Sequence, residues 1–415
     1  MFKRSNYSSS CACAATAAIS RAALRGLLLA TAVLGLGLGQ VSHAQSQVIR
    51  IGAPLPMTGA LSPEGLRMKQ GNDLWAETVN KAGGIKVGSG RAKVEMIYVD
   101  YQSNTPKAVQ LVDKLITQDK VDFIFSPFGS GATKASSAVT EKNGVPNIAA
   151  TASSVEVFDQ GHKYIFGLLT PNNTLIEPTA ELAATRLPAN ARVAILARND
   201  LFPTAVANEL EKVAKKRNYE VVYNEKYAIG ALDHAGALVQ IKAAKPDWIF
   251  VSGYTNDLIL VRKQMKDAGL NAPVVTMITG PSYREFVESL GPLAENVSSA
   301  VWWHPASKYT GTDIFGSTAK YVEAFKARFG TEPDYANAVA SLSGVVLQAA
   351  IEKVGSVDRA AVRDQLAKLK MDTFYGPVAF DQKGMVNSYL PPVFQIQGGK
   401  SAVLYPPAIA TGKLR

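Results

Sequence analysis

Cysteine is almost missing from this chain: Cys11 and Cys13 are the only two in 415 residues. Both fall within the first 44 residues, which read as a removable leader. The remainder is therefore expected to carry no disulfide, no thiolate metal site and no cysteine nucleophile. Histidine is nearly as scarce, at four. His162, His234 and His304 are scattered without HExxH or other paired-ligand spacing, so each reads as a surface or core histidine. No G-x-S-x-G nucleophile elbow occurs. The run Phe128-Gly129-Ser130-Gly131-Ala132-Thr133-Lys134 superficially suggests a phosphate loop. It lacks the GK[ST] ending, and Lys134 stands where a dinucleotide fingerprint has its third glycine. Absent motifs do not rule out a triad assembled in space, but the sequence offers no catalytic constellation and no cofactor is expected.

A membrane-spanning run is lacking as well. The first 44 residues carry Lys3, Arg4, Arg21 and Arg25 with no acid, then an apolar run over 26–38, then Ser42-His43-Ala44 ahead of Gln45. This is the layout of a secretory signal peptide with a small-x-small cleavage site. Its thirteen residues fall short of the roughly 20 that span a bilayer. No twin arginine precedes the run, which favours general secretion. Neither cysteine follows it, where a lipid anchor would need one. The expectation is a free periplasmic protein. The stretch 335–351 is uncharged for seventeen residues, but Asn337, Ser341, Ser343 and Gln348 interrupt it, so it reads as a buried core helix.

What remains after the leader has 40 basic against 34 acidic residues, a formal charge of +6 in place of +10. Without a clustered basic run this is a weak case for nucleic acid. Hydrophobic content of 47% with 19% charged residues indicates a packed globular chain. The length points to two lobes. Short apolar runs over 48–52, 94–100, 123–126, 147–150, 192–197, 220–227, 248–252, 274–277 and 297–303 read as strands. Helical patterns over 65–82, 106–118, 132–143, 203–217, 257–268 and 321–329 lie between them. This alternation predicts α/β architecture with parallel sheets covered on both faces. There are too many units for one sheet, hence two doubly wound, Rossmann-like lobes.

Open α/β sheets bind ligands beyond the carboxyl ends of their strands. The loops there are rich in Gly, Ser, Thr and aromatics. Ser130 sits between a strand and a helix expected to begin near residue 132. A hydroxyl beside the unpaired first amides of a helix forms a carboxylate receptor without a charged side chain. The same residue also reads as a simple helix cap. Residues 149–154, with Thr151 and Ser153, form a second polar cluster or an ordinary Ser/Thr turn. Phe202 and Tyr254, in corresponding loops of the second half, read either as a wall over a ligand or as packing between helix and sheet.

The chain resembles the leucine/isoleucine/valine-binding family of type I periplasmic binding proteins. The residues that carry the resemblance are Ile51-Gly52-Ala53-Pro54 with Met57-Thr58-Gly59, then Val79-Asn80-Lys81-Ala82-Gly83-Gly84-Ile85. Asp100 with Thr105-Pro106-Lys107-Ala108-Val109 follows, and later Gly376-Pro377-Val378 with Phe380-Asp381-Gln382-Lys383-Gly384. Their order and spacing cover nearly all of the chain after the leader. The resemblance implies lobes of 45–171 with 305–373 and of 172–304 with 374–415. Three crossovers would join them, near Pro171, His304–Pro305 and residues 373–377. The lobes would close on a ligand by hinge motion. Ser130 then matches the serine on the ligand carboxylate, and Thr151 and Ser153 match its neighbours. Phe202 and Tyr254 match the covering aromatics, Gly280 lines the second-lobe loop, and Glu64 stands where leucine binders have an aromatic. That family's second-lobe glutamate, the acceptor for a ligand ammonium, is absent from Ile278-Thr279-Gly280-Pro281-Ser282. Either Asp200, Asp257 or Glu64 substitutes, or the ligand has no ammonium. Trp302 and Trp303 signal an aromatic or larger ligand, or simply pack a hinge.

The implied role is the solute-binding component of an ABC importer. It would take an amino acid, amide or aromatic acid to a permease with its cytoplasmic ATPase, as a monomer. A periplasmic sensor reporting to a chemoreceptor or kinase needs the same clam-shell. A secreted enzyme is the third alternative.

Overall fold

The computed structural model describes residues 48–415. The expected leader at 1–44 lies outside them. Apolar runs such as Trp248–Ser252 and Val274–Ile278, buried at every position, require cover on both faces, and parallel sheets supply it.

The first sheet contains β1 (Val48–Leu55), β2 (Ile85–Val87), β3 (Gly90–Asp100), β4 (Phe123–Phe125), β5 (Asn147–Ala149) and β6 (Ile165–Gly167), in the order β2-β3-β1-β4-β5-β6. Only β2, which forms a hairpin with β3, runs antiparallel. The second contains β7 (Arg192–Arg198), β8 (Glu220–Tyr227), β9 (Trp248–Ser252), β10 (Val274–Ile278) and β11 (Val297–Ala300) as a parallel set. A separate hairpin pairs β12 (Lys370–Thr373) with β13 (Gly376–Ala379). Antiparallel β14 (Val393–Gln397) and β15 (Lys400–Tyr405) then complete the second sheet, in the order β15-β14-β11-β10-β9-β7-β8.

The helices are α1 (Ser62–Lys81), α2 (Thr105–Thr117), α3 (Ser130–Lys142), α4 (Asn173–Ala184), α5 (Leu201–Lys216), α6 (Ala235–Ala243), α7 (Thr255–Asp267), α8 (Arg284–Leu290), α9 (Thr318–Phe329), α10 (Tyr335–Val354) and α11 (Arg359–Leu366). The architecture is a two-lobed α/β fold with a doubly wound sheet in each lobe. No single helix among the described residues is long and apolar enough to cross a membrane. Helix α10, whose stretch 335–351 is uncharged, is buried along almost its entire length against α1.

The sequence motifs have concrete structural duties. Asn80 docks its side-chain amide on Val94 of β3 as a strand would, donating to the carbonyl and accepting from the N–H, both at 2.8 Å. Gly84, at φ 99°, follows it, and an added Cβ there would meet the Ala92 carbonyl at 2.2 Å. Asp100 gathers the loop after β1: its Oδ1 accepts from Met57 N at 3.0 Å and its Oδ2 from Thr58 Oγ1 at 2.6 Å.

Three expectations shift. The strand expected over 297–303 stops at Ala300, because Val301 N donates to Pro392 O and the Trp302 indole donates to Thr170 O at 2.9 Å. The chain is already leaving the sheet there. Helix α3 starts at Ser130, two residues early, because Gly129 at φ 82° turns the backbone into it. Finally, residues 380–386 still run along the first sheet. Gly167 N donates to Gly384 O at 2.7 Å, and Val386 N donates to Gly167 O at 3.0 Å. The last passage to the second sheet therefore falls between Val386 and Val393, beyond the crossover expected at 373–377.

Helices α1 and α10 meet through glycines. A Cβ on Gly344 would lie 1.8 Å from the Trp75 ring, and one on Gly71 would lie 2.1 Å from the Asn337 carbonyl. Overpacking at such contacts costs about 1–3 kcal/mol. Gly344→Ala should lower the urea midpoint by an amount equivalent to about 2 kcal/mol, with an unchanged slope.

Candidate functional site

In the first sheet β3 and β4 lie on opposite sides of β1; in the second, β8 and β9 lie on opposite sides of β7. Chains leaving such switch points diverge and leave a crevice at the carboxyl edge. The loops after β1 and β4 lead into α1 and α3, and those after β7 and β9 lead into α5 and α7. The four helix starts face one another. A Cβ added to Gly131, in the first turn of α3, would come within 2.9 Å of Asp200 Oδ1 at the start of α5. The amide nitrogen of Asn256 donates to Ala60 O at 2.9 Å.

Ser130 is the first residue of α3 and is fully buried. Its Oγ accepts two backbone N–H groups, from Ser153 at 3.3 Å and Ser154 at 3.2 Å. A hydroxyl that accepts twice directs its own proton elsewhere, here beside helix amides that have no partner within the helix. Thr151 Oγ1 accepts from Gly129 N at 3.0 Å. Ser153 Oγ donates to Asn172 Oδ1 at 2.7 Å, which ties this loop to the segment passing between the lobes. In this geometry the hydroxyls of Thr151 and Ser153 hold the loops that present Ser130.

Opposite stands a chain of rings. Tyr254 meets Phe128 edge-on at 5.3 Å and stacks on Phe202 at 6.2 Å. Phe202 contacts Trp302 at 5.9 Å, Trp302 contacts Tyr335 at 5.5 Å, and Tyr335 stacks on Tyr283 at 5.7 Å. Phe128 and Tyr335 come from the first lobe and the others from the second, so the rings interleave across the gap. Burial pushes the Tyr254 and Tyr283 phenols well up, keeping them neutral donors. Gly280 lies against Leu258 and Phe286 in a short turn. Thr279 before it has φ 79°, a sparsely populated conformation for a β-branched residue. Its Oγ1 donates to Gly253 O at 3.2 Å.

The three acids considered for a ligand cation differ sharply. Asp257 Oδ2 pairs with Arg198 Nη1 at 2.7 Å, and Asp200 Oδ2 lies 3.8 Å from Arg198 Nε. Arg198 is buried beneath the Tyr254 ring, 5.2 Å from its centre. Glu64 is 1% exposed. Its Oε1 accepts from Thr255 N at 3.1 Å and Thr255 Oγ1 at 2.6 Å, across the gap. Burial pushes this carboxyl up, with the Thr255 hydrogen bonds pulling the other way.

Sequence reasoning missed Arg67, Arg198, Thr255, Tyr283 and Tyr335. Arg67 pairs with Asp334 of its own lobe and Glu285 of the other, 4.4 Å from the centre of the Tyr283 ring. Beside it opens a cavity of about 950 Å³ whose lining includes Tyr283, Trp303, Asp334 and Tyr335, but not Ser130. An arginine closing the apolar run 193–197 was the available signal for Arg198. Tyr335 was hidden because it opens a helix read only as core.

The chain belongs to the periplasmic binding protein family, whose model matches residues 48–400. It is 24% identical to the Leu/Ile/Val-binding protein homolog 7 of Brucella suis, over 88% of this chain and 94% of the relative. It is also 24% identical to the leucine-, isoleucine-, valine-, threonine- and alanine-binding protein of Pseudomonas aeruginosa, over 83% and 88% of the two chains. Among solved structures, LivJ of Streptococcus pneumoniae in complex with isoleucine shares the fold, with a TM-score of 0.76 and 24% identity over 87% of this chain and all of that one. A solute-binding protein of an R. palustris ABC transporter in complex with benzoate has a TM-score of 0.73 and 21% identity, over 86% and 95%.

Arg198 is the counter-charge that keeps two acids beneath Tyr254. Removing one member of a buried pair costs about 3–5 kcal/mol, and the nearby Asp200 softens that. Asp257→Ala should destabilise by about 3 kcal/mol, measured by urea denaturation.

Proposed function

We propose that this protein is the substrate-binding component of an ABC-type importer, holding a small carboxylate-bearing solute between its lobes and passing it to a membrane permease driven by a cytoplasmic ATPase. Family membership supports this, as do relatives named for branched-chain amino acids and similar folds holding isoleucine and benzoate. The single observation that carries it is the disposition of Ser130. A buried hydroxyl, polarised by two N–H donors, opens a helix whose preceding residues reach the opposite lobe: Phe128 meets the Tyr254 ring at 5.3 Å, and a Cβ on Gly129 would lie 3.2 Å from the Tyr254 hydroxyl.

Such a site grips an anion with dipoles. Charge-assisted hydrogen bonds contribute about 1.5–3 kcal/mol each, so two or three supply much of the roughly 8 kcal/mol that micromolar affinity requires. The rings cover the rest of the solute and exclude water, and closure follows from contacts made only when both lobes engage it. Nothing in this arrangement resembles a nucleophile with its base, and the reading is of binding without turnover. Delivery to a permease implies that residues 1–44 direct export and are cleaved, placing the protein in the periplasm.

A thermal-shift screen of amino acids, amides, dicarboxylates and aromatic acids should identify stabilising ligands. At 100 times its Kd a ligand stabilises by about 2.7 kcal/mol. Calorimetry on the best ligand should show Ser130→Ala weakening it at least ~10-fold, about 1.4 kcal/mol, with the fold intact. An unchanged Kd would remove Ser130 from the site.

A further inference from the structure

We propose that Glu64 is the acceptor for a cationic nitrogen on the ligand, so that the solute is a zwitterion and lobe closure is conditional on its positive charge. The inference rests on the interlobe reading above and adds to it the ligand's second functional group.

Of the three acids considered for a ligand cation, Asp257 and Asp200 share the Arg198 guanidinium, at 2.7 and 3.8 Å. Glu64 has no such partner among the described residues. The nearest arginine, Arg67, is engaged by Asp334 and Glu285. Thr255 occupies Oε1, while Oε2 is buried and meets no donor among the described residues. The phenols of Tyr101, Tyr254, Tyr283 and Tyr335 are close enough to feel the Glu64 charge, yet none donates to it. A buried carboxylate oxygen without a donor suits an ammonium, which supplies both the opposite charge and the N–H.

The carboxylate is also firmly placed. Gly65, next to it in the first turn of α1, is wedged under Pro56, whose carbonyl would lie 2.3 Å from an added Cβ. Glu64 therefore cannot withdraw by a shift of the helix start. Its partner Thr255 comes from the other lobe. Separating the lobes returns Glu64 to water, and closing them strips that water away. A buried carboxylate without a counter-charge is costly, and a ligand bearing only a carboxylate would add a second negative charge. A ligand with an ammonium removes the penalty. Specificity and closure then share one atom, Oε2.

The test uses two pairs of ligands that differ only in the ammonium: L-leucine with 4-methylpentanoate, and L-phenylalanine with 3-phenylpropionate. Calorimetry should show wild type binding at least one amino acid ~30-fold or more tighter than its des-amino partner, about 2 kcal/mol. Glu64→Gln should shrink that ratio to within ~3-fold, about 0.7 kcal/mol, chiefly by weakening the amino acid. Ser130→Ala should weaken both members of the pair. As a second readout, small-angle scattering should show wild type contracting with the amino acid but not with the acid. Glu64→Met, which keeps the volume and removes the charge, should be compact without either. A ratio unchanged in Glu64→Gln, while Ser130→Ala still weakens both ligands, overturns the role of Glu64 and leaves the interlobe site standing. No binding by any of the four overturns the proposal, and ligand binding unaffected by Ser130→Ala removes the carboxylate receptor on which the proposal depends.

Discussion

Parallel strands all end on the same side of their sheet, and the helices that follow begin there with N–H groups unpaired within the helix. Each lobe of this protein therefore has one edge lined with unsatisfied donors, and the three passages of chain between the lobes set those edges face to face. Every polar group in the gap must find a partner in its own lobe, in the opposite lobe or in something held between them. The resulting pairings are economical. Ser130 takes two N–H groups from the neighbouring loop, Glu64 takes two donors from Thr255, and the Asn256 amide reaches Ala60.

Magnitudes decide what holds the lobes together. The bridge from Arg67 to Glu285 is interlobe, but the Glu285 side chain is 39% exposed, and ion pairs this wet are worth about 0.2–1 kcal/mol. Ring pairs contribute about 0.5–1.5 kcal/mol each beyond the area they bury. Phe128 on Tyr254, Trp302 on Tyr335 and Tyr283 on Tyr335 are three such pairs across the gap. Aromatic burial therefore outweighs the ionic contact. The buried Arg198 triad does not bear on closure, since Arg198, Asp200 and Asp257 all belong to the second lobe. Its task is to hold the start of α7, where Asp257 also accepts from Tyr254 N, and so to fix the Tyr254 ring.

Much of this was legible in the sequence, for identifiable reasons. The central strands are continuous apolar runs and the long helices have clear faces, so alternation alone yields two parallel sheets. Irregular elements were not legible. Helix α4 contains Pro178, and the β14–β15 hairpin follows a long irregular stretch. The candidate site was legible only in part. Ser130, Phe202 and Tyr254 sit at strand-to-helix joints, where pattern and resemblance agree. Arg67, Tyr283 and Tyr335 come from a helix interior, a short turn and the start of a core helix. Only the lobe-to-lobe approach, which no local pattern encodes, brings them together.

That distinction bears on how one fold accommodates different solutes. Ser130 and the loops behind it depend on backbone N–H groups, which every sequence supplies once the strand and helix are in place, so on the proposed reading this end of the site can grip any carboxylate. Glu64 and the rings around it are side-chain choices on a fixed scaffold, and they can change without disturbing the sheets. A differential affinity of about 5.5 kcal/mol between open and closed forms is needed to carry a two-state equilibrium from 1:99 to 99:1. Dipoles at one lobe's edge do not supply it, because they contact the carboxylate whether or not the other lobe has arrived. The difference must come from groups that acquire a partner or lose their water only on closure. In this molecule those include the rings and the Glu64 carboxylate, the groups proposed to meet the solute.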